Sequence, residues 1–499
     1  MYRKPNSNQT EFEDFHLPFG GKLRSGNRWV LLSKQIPWEA VEREYATHFS
    51  EENLGSPAKS SRIAFGALIL KERLGVCDRE LVEQISENPF LQYFLGLSGY
   101  QEEAPIHHSM LTHFRKRFSQ ASLARINEVI AQRILEGGQK EEGPREDDGE
   151  DPPVPRGKLI VDATCTPADI KYPTDLNLLN EAREKSEEII DHLHSFRTNV
   201  EKKPRTYRKK ARKDYLRIAK MRKPGRKKIR QGVGKQLRYL RRNLASILVM
   251  SETGLLVHLK GSQYRDLLVI HELFRQQQWM YAKKSHRIPN RIVSIRQPHV
   301  RPIIRGKAGS EVEFGAKVSV SLVNGMSFVD RISWDAYNES GDLLAQINSY
   351  RRRFGHDPAS VHADKIYRTR ENRRTCKSRG IRLSGPPLGR PRKTTDQNAK
   401  QLRQEKRVLW QDEVDRIAIE GKFGQGKRRF GLARIMAKLA HTSEVMIMIS
   451  FMVMNLEGVL SKAISFVGSF FWRRLEILCR ATFTSRGQSL GMRLSENNC

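Results

Sequence analysis

Three acidic residues stand where apolar segments stop. Asp162 closes the run KLIVD, Asp364 closes SVHAD, and Glu420 follows Ile417, Ala418 and Ile419 in a stretch with helical character. A carboxylate at the end of an apolar strand sits at a sheet edge in a partly dry place, where its charge is costly unless neutralised. Two or three such groups converging repel one another until a hard cation enters. Mg²⁺ suits the donor set, since it takes oxygen ligands, needs few carboxylates and completes its octahedron with water and phosphate oxygens; Mn²⁺ is the alternative. Two ions about 3.5–4 Å apart would activate a nucleophile and stabilise the leaving oxygen of an in-line phosphoryl displacement. On spacing alone the plainer reading of each acid is a helix cap or an ion-pair partner, and what favours metal ligation is the sequence around them.

The elements that must position these acids belong to a chain of 499 residues with 89 Lys and Arg against 56 Asp and Glu, a formal charge of +33, and a mean hydropathy of −0.60. That length predicts two to four domains. The 21 Phe, 13 Tyr and 6 Trp exclude wholesale disorder, and the composition excludes a collagenous, coiled-coil or membrane-embedded protein. A pI near 10.1 calls for a polyanionic partner, nucleic acid first. The five cysteines are scattered without zinc-ligand spacing and read as reduced thiols. The start of the chain has no apolar signal segment, and Val445 to Leu460, which contains Asn455 and Glu457, reads as a buried helix rather than a membrane span.

Residues 1–140 are expected to form an all-α N-terminal domain, with Asp78 capping one helix and a later helix after Ser109 exposing Arg115, Lys116 and Arg117 to DNA. Residues 141–156 form an acidic, Pro- and Gly-rich linker. Residues 157–460 read as a mixed sheet flanked by helices, with strands at Lys158–Thr164, Arg291–Ile295, Phe314–Val323, Phe328–Trp334, Ser360–Asp364 and Ile381–Leu383. A long basic helical insertion, about 176–290, interrupts this unit after its first strand. Residues 197–242 alone hold 21 Lys or Arg against Glu201 and Asp214, which is +19 of the total, and Arg208, Lys209, Lys210, Arg212 and Lys213 are its densest cluster. Residues 461–499 are read as a C-terminal helix and tail.

The segments KLIVDATCTPADIKYPTDLNLLNEARE, VHADKIYRTRENRRTCKSRGIRL and RIAIEGKFGQGKRRFGLARIMAKL resemble the three catalytic blocks of DDE transposases of bacterial insertion sequences, in particular the insertion sequence five group. Residues 40–130 similarly resemble that group's helical N-terminal domain. The resemblance implies an α/β ribonuclease H-like fold with Asp162, Asp364 and Glu420 as the metal-binding catalytic triad. It also implies the signature Tyr-(2)-Arg-(3)-Glu-(6)-Lys, matched by Arg416, Glu420 and Lys427, whereas its tyrosine position holds Glu413. Arg416 lies one helical turn before Glu420, placed to hold a phosphate, and Lys427 follows three glycines where the chain could bend toward a DNA backbone.

Other polar residues carry plainer readings. Asp169 and Asp175 suit loop caps as well as catalysis, His362 shares a strand face with Asp364, and Asp335 and Glu339 are competing metal ligands. Trp410 reads as a packing residue before a base-stacking one. The expected function is a transposase that binds terminal inverted repeats and target DNA as double strands, cleaves with metal-activated water and joins the freed 3′-hydroxyl. It would act as a homodimer in the bacterial cytoplasm, on the nucleoid and away from membranes. The alternatives are a metal-dependent nuclease of the same fold that does not join ends, and a non-catalytic DNA-binding descendant.

Overall fold

The computed structural model describes residues 15–17, 20–49, 57–138, 154–197, 202–307, 310–390 and 392–461. Most of the acidic linker and nearly all of the C-terminal segment therefore lie outside the described residues. The N-terminal region is helical: α1 (Arg28–Gln35), α2 (Trp38–Ala46), α3 (Ser61–Leu74), α4 (Asp78–Glu87), α5 (Pro89–Phe94), α6 (Met110–Arg117) and α7 (Gln120–Gly138). Local chemistry sets the ends. Ser60 caps α3, whose C-terminus closes on Gly75 at φ +69°, and α4 is capped by the Cys77 side chain. Asp78, the expected cap, is instead the first residue of α4 and pairs with Lys71 (2.9 Å) and Arg115.

Strand β1 (Lys158–Pro167) opens the sheet, and the insertion follows as α8 (Asp175–His194), α9 (Arg208–Ala219), α10 (Arg226–Glu252) and α11 (Gly261–Lys283). The remaining strands are β2 (Arg301–Lys307), β3 (Ser310–Val323), β4 (Met326–Ser333), β5 (Ser360–Ala363) and β6 (Arg382–Leu383). Helices α12 (Leu343–Phe354) and α13 (Arg370–Ser378) flank β5 in the chain, and α14 (Ala399–Arg429) and α15 (Ala440–Ser461) follow β6. The sheet runs β2-β3-β1-β5-β6, with β4 also on β3; β1, β2 and β4 pair with β3 antiparallel, whereas β5 pairs with β1 and β6 with β5 in parallel. A mixed sheet flanked by helices is thus the observed architecture.

Arg291–Ile295 is not a strand. The Ile292 N–H donates to the Gln276 side chain (2.9 Å), and Ile292 and Ile295 are buried with α8, α10 and α11, so the apolar run serves the insertion's core. The missing strand lies ten residues later as β2, whose Pro302 is tolerated because β2 is an edge strand. The insertion itself is a packed helical unit, with Leu179, Leu237, Leu240, Ile270 and Leu273 at its centre.

The N-terminal helices and the sheet share one apolar core, which runs from Phe65 and Phe118 through Val320 and Val361 to Phe451 and Met454. Helix α15 threads it. Among the described residues α15 is the one helix long and apolar enough to cross a bilayer, but it is mostly buried in the protein. Its polar residues explain why: Glu457 pairs with Arg73 of α3, and Asn455 is fully buried and saturated. The Asn455 amide donates to Asn127 of α7 (3.0 Å) and to the Ser327 carbonyl of β4 (2.8 Å), while its oxygen accepts from the Ser327 N–H and hydroxyl (2.8 Å each). Asn455→Leu strands these partners in a dry core and should cost about 2–4 kcal/mol. Urea unfolding followed by circular dichroism checks this, with a lowered midpoint at unchanged slope expected; a loss under about 0.5 kcal/mol would show the junction to be energetically idle.

Candidate active site

Two carboxylates reach one place because two strands are parallel neighbours. The register sets Val161 beside Ala363, so Asp162 and Asp364, one residue further on each strand, emerge side by side although 202 positions separate them in the chain. Asp162 is the fifth of the ten residues of β1 rather than its last, because pairing with β3 carries the strand on to Pro167. Asp364 lies just past β5 and accepts from the Lys365 N–H (2.7 Å).

Helix α14 lies across β1 and β5 and brings the third acid. Polar bonds dock it: Lys158 of β1 meets Asp415 at 2.7 Å, Arg382 of β6 grips the buried Asp412 through two 2.8 Å bonds, and His362 of β5 lies between Asp412 (3.5 Å) and Asp415 (3.7 Å). His362 is fully buried and bonded to Ser360 (2.9 Å), so it packs against α14. Glu413, Arg416, Glu420 and Lys427 then fall on one stripe of the helix. The Arg416 guanidinium stands 2.7 Å from Glu413 and 3.6 Å from each of Asp364 and Glu420.

Around Asp162 the electrostatics are those of an under-compensated cluster. Burial, reinforced by the nearby charges of Glu339 and Asp364, pushes its carboxyl up to about 6. The Ala163 N–H donates a hydrogen bond to it (2.8 Å). Among the described residues no three His, Cys, Asp or Glu side chains are gathered closely enough to hold a metal ion. The donor set nevertheless fits a hard divalent cation: the groups are all carboxylates, one is half-buried with its carboxyl pushed up by its surroundings, and the Arg416 guanidinium beside the other two stands beyond hydrogen-bond range of them.

Several expected site residues are used otherwise. Lys427 lies within α14, which continues to Arg429, and Gly426 serves packing; a Cβ there would lie 2.6 Å from Leu432 and 3.3 Å from Met454 of α15. Arg115 is engaged by Asp78, and Arg117 donates to the Tyr45 hydroxyl (2.6 Å) with its guanidinium over Phe49, so Lys116 alone of that trio is exposed. Arg208 makes a two-bond pair with Asp191 (2.7 and 2.9 Å), while Lys209, Lys210, Arg212 and Lys213 are exposed on α9. Asp169 pairs with Arg434 and Lys438, and Asp175 accepts from Gln277 (2.8 Å) and Arg291 (2.7 Å), both structural roles. Trp410 does not pack and is 68% exposed. Asp335 is exposed at the surface, 3.6 Å from Arg301, whereas Glu339 is held by Lys317 at 2.9 Å near Asp162. Arg368 joins the site without having been singled out by its sequence context. Its position one turn after Asp364 is the available signal, and it bonds both the Ala363 carbonyl and Glu413 at 3.0 Å.

The raised Asp162 carboxyl makes stability depend on pH. The folded chain holds this proton up to about pH 6 and the unfolded chain releases it near its ordinary value of 3.8, so stability falls as pH rises through that window and levels off above it. Without divalent ions, Asp162→Asn should be more stable than wild type by on the order of 1–3 kcal/mol near pH 8 and by less near pH 5. Urea midpoints at the two pH values test it, and an advantage independent of pH would refute the assignment.

Comparison with known families meets this geometry from both ends of the chain. The family described as "Transposase DDE domain" matches residues 361–457, a segment that includes Asp364, Arg416, Glu420 and Lys427, and the family described as "Transposase domain (DUF772)" matches residues 18–117. An uncharacterized protein, ORF8 in the nfe locus of Rhizobium meliloti, is 30% identical over 149 residues; the match spans 30% of this chain and 66% of that protein's own length. No solved structure matches. With its second and third acids inside the matched DDE segment and most of its N-terminal helices inside a second transposase domain, the chain carries two transposase domains, and these matches support a DDE transposase of an insertion sequence.

Proposed function

We propose that this transposase binds the terminal inverted repeats of its element as double-stranded DNA, cleaves phosphodiester bonds at their ends and joins the 3′-hydroxyls to target DNA. The observation that carries the reading is the meeting of Asp162 and Asp364 on adjacent parallel strands, with Glu420 and Arg416 facing them from α14. The sheet order supports a ribonuclease H-like catalytic domain over 157–460, with an antiparallel part made of β1, β2, β3 and β4 continued from β1 by two parallel strands. Asp162, Asp364 and Glu420 would hold Mg²⁺, or Mn²⁺, as two ions, which when bound supply a water nucleophile and stabilise the leaving oxygen.

The chain's own residues do the rest. Arg416 presents a planar cation beside Asp364 and Glu420, suited to a phosphate oxygen of the scissile group. Lys427, two turns beyond Glu420 and about 10 Å along the axis, holds the backbone further from the cleaved bond. Exposed Lys209, Lys210, Arg212 and Lys213 give the insertion its phosphate affinity. The N-terminal helices of 1–140 recognise the repeat through Lys116 and the surface beside it. Two ends imply a homodimer, two-fold protein on two-fold DNA, working in the bacterial cytoplasm.

Asp162→Asn, Asp364→Asn and Glu420→Gln are each expected to abolish strand cleavage in Mg²⁺ while binding to repeat DNA persists. A cleavage gel beside a mobility-shift titration decides it, and a variant cutting at near wild-type rate removes that residue from the triad. Joining of cut ends into a plasmid separates a transposase from a nuclease that only cuts. For the insertion, neutralising Lys209, Lys210, Arg212 and Lys213 together should flatten the dependence of log K on log salt by about 0.9 for each phosphate that is no longer neutralised, for specific and nonspecific DNA alike. Adding Arg208→Gln should change the slope little, since Asp191 already neutralises it. An unchanged slope in the four-fold variant would show that α9 does not touch DNA.

A further inference from the structure

Glu413 stands where the related signature has tyrosine, and its two carboxylate oxygens are divided between two arginines. Oε1 accepts from Arg368 at 3.0 Å and Oε2 from Arg416 at 2.7 Å, and the Arg368 contact leads in holding the Glu413 carboxyl below its ordinary range. Arg368 is itself fixed. It donates to the carbonyl of Ala363, the residue before Asp364, and it fills the space left by Gly385, where a Cβ would lie 2.3–2.5 Å from the guanidinium and the backbone is at φ +98°. A circuit of side chains therefore leaves β5 at Ala363, passes through Arg368, Glu413 and Arg416, and returns to β5 at Asp364. Within it Arg416 is closer to Glu413 than to the other two acids, each 3.6 Å away and outside direct hydrogen-bond range. Its Nε is buried without an acceptor among the described residues, so that edge of the group is not tethered.

We propose that Glu413 is a positioning residue that holds the Arg416 guanidinium off Asp364 and Glu420, keeping these carboxylates available to a divalent cation. The inference rests on the metal-binding reading of those acids given above. Without the Glu413 charge, Arg416 moves onto Asp364 and Glu420 and competes with the ion for them. A tyrosine at 413 would not substitute, because a neutral phenol has one oxygen to offer two cations and leaves Arg368 uncompensated.

Mn²⁺ binding to the full-length, DNA-free protein, measured by electron paramagnetic resonance, tests this independently of activity, with Asp364→Asn marking the site. Glu413→Gln and Glu413→Tyr should each weaken Mn²⁺ binding by about fivefold, and the double variant Glu413→Gln/Arg416→Gln should recover wild-type affinity because the competing cation is gone. Unaltered circular dichroism would accompany the singles, as Glu413 lies on the exposed side of α14. Weakened binding that the double variant fails to recover assigns Glu413 a merely structural part and overturns the inference. Wild-type binding in both single variants, with Asp364→Asn binding none, overturns it while leaving the metal reading intact. If the wild type binds no Mn²⁺ that Asp364→Asn removes, the metal reading falls and takes this inference with it.

Discussion

The parallel pairing of β1 with β5 is the constraint on which the site depends. It joins segments some 200 residues apart and sets two carboxylates on neighbouring strands, an arrangement that repels itself. The molecule offsets that cost with cations brought from elsewhere: Arg416 from α14 toward Asp364, and Lys317 from β3 toward Glu339 near Asp162. Neither is a full bond to Asp162, whose carboxyl stays raised. Helix α14 must therefore be held firmly against a locally unfavourable site, and the ion pairs of Asp412 and Asp415, next to Glu413 and Arg416 in the chain, do so. Asp412 is almost wholly buried, so its two bonds to Arg382 are needed to avoid an uncompensated charge rather than offering a surplus of stability.

Much of this was legible in the sequence because the relevant signals are local. Apolar runs ending in Asp162 and Asp364, and the seven-residue spacing from Glu413 through Glu420 to Lys427, depend only on strand and helix periods. What the sequence did not disclose depends on partners far away in the chain. Arg115 and Arg117 look exposed at the end of a short basic helix, yet Asp78 and Tyr45 take them up. The Arg291–Ile295 run has strand composition, but its backbone and side chains are claimed by Gln276 and the insertion core. The glycines before Lys427 suggest a bend, and tertiary packing against α15 uses one of them to bring two helices together.

The shared core changes what the N-terminal helices can do. A tethered DNA-binding module could search independently of the catalytic sheet. Here α7 is bonded to α15 and β4 through the Asn127–Asn455–Ser327 junction, and α3 reaches α15 through Arg73 and Glu457, so the helical region and the carboxylates form one packed body. Any DNA held on its surface is set in distance and orientation from Asp162 and Asp364 by protein packing, which is the condition for effective positioning of a scissile bond.

The insertion meets the same requirement by a different route. It leaves the sheet just after β1, and its two roots are tied together where Arg291 and Gln277 both bond Asp175. A second tie, from Gln297 to the Asp169 carbonyl (2.9 Å), joins the exit segment to the loop that Arg434 and Lys438 also pin. About 115 residues can therefore be added to a catalytic sheet without loosening it, since the ends are closed by specific bonds and the added helices bury their own apolar faces. The exposed cations of α9 are carried by a packed helical unit whose root, Asp175, lies 13 residues after Asp162 in the chain. Under the proposed DNA-binding role, phosphates held by α9 and the carboxylates of the sheet would share one frame, so that electrostatic affinity, which carries no sequence information, would still contribute to where the DNA is placed.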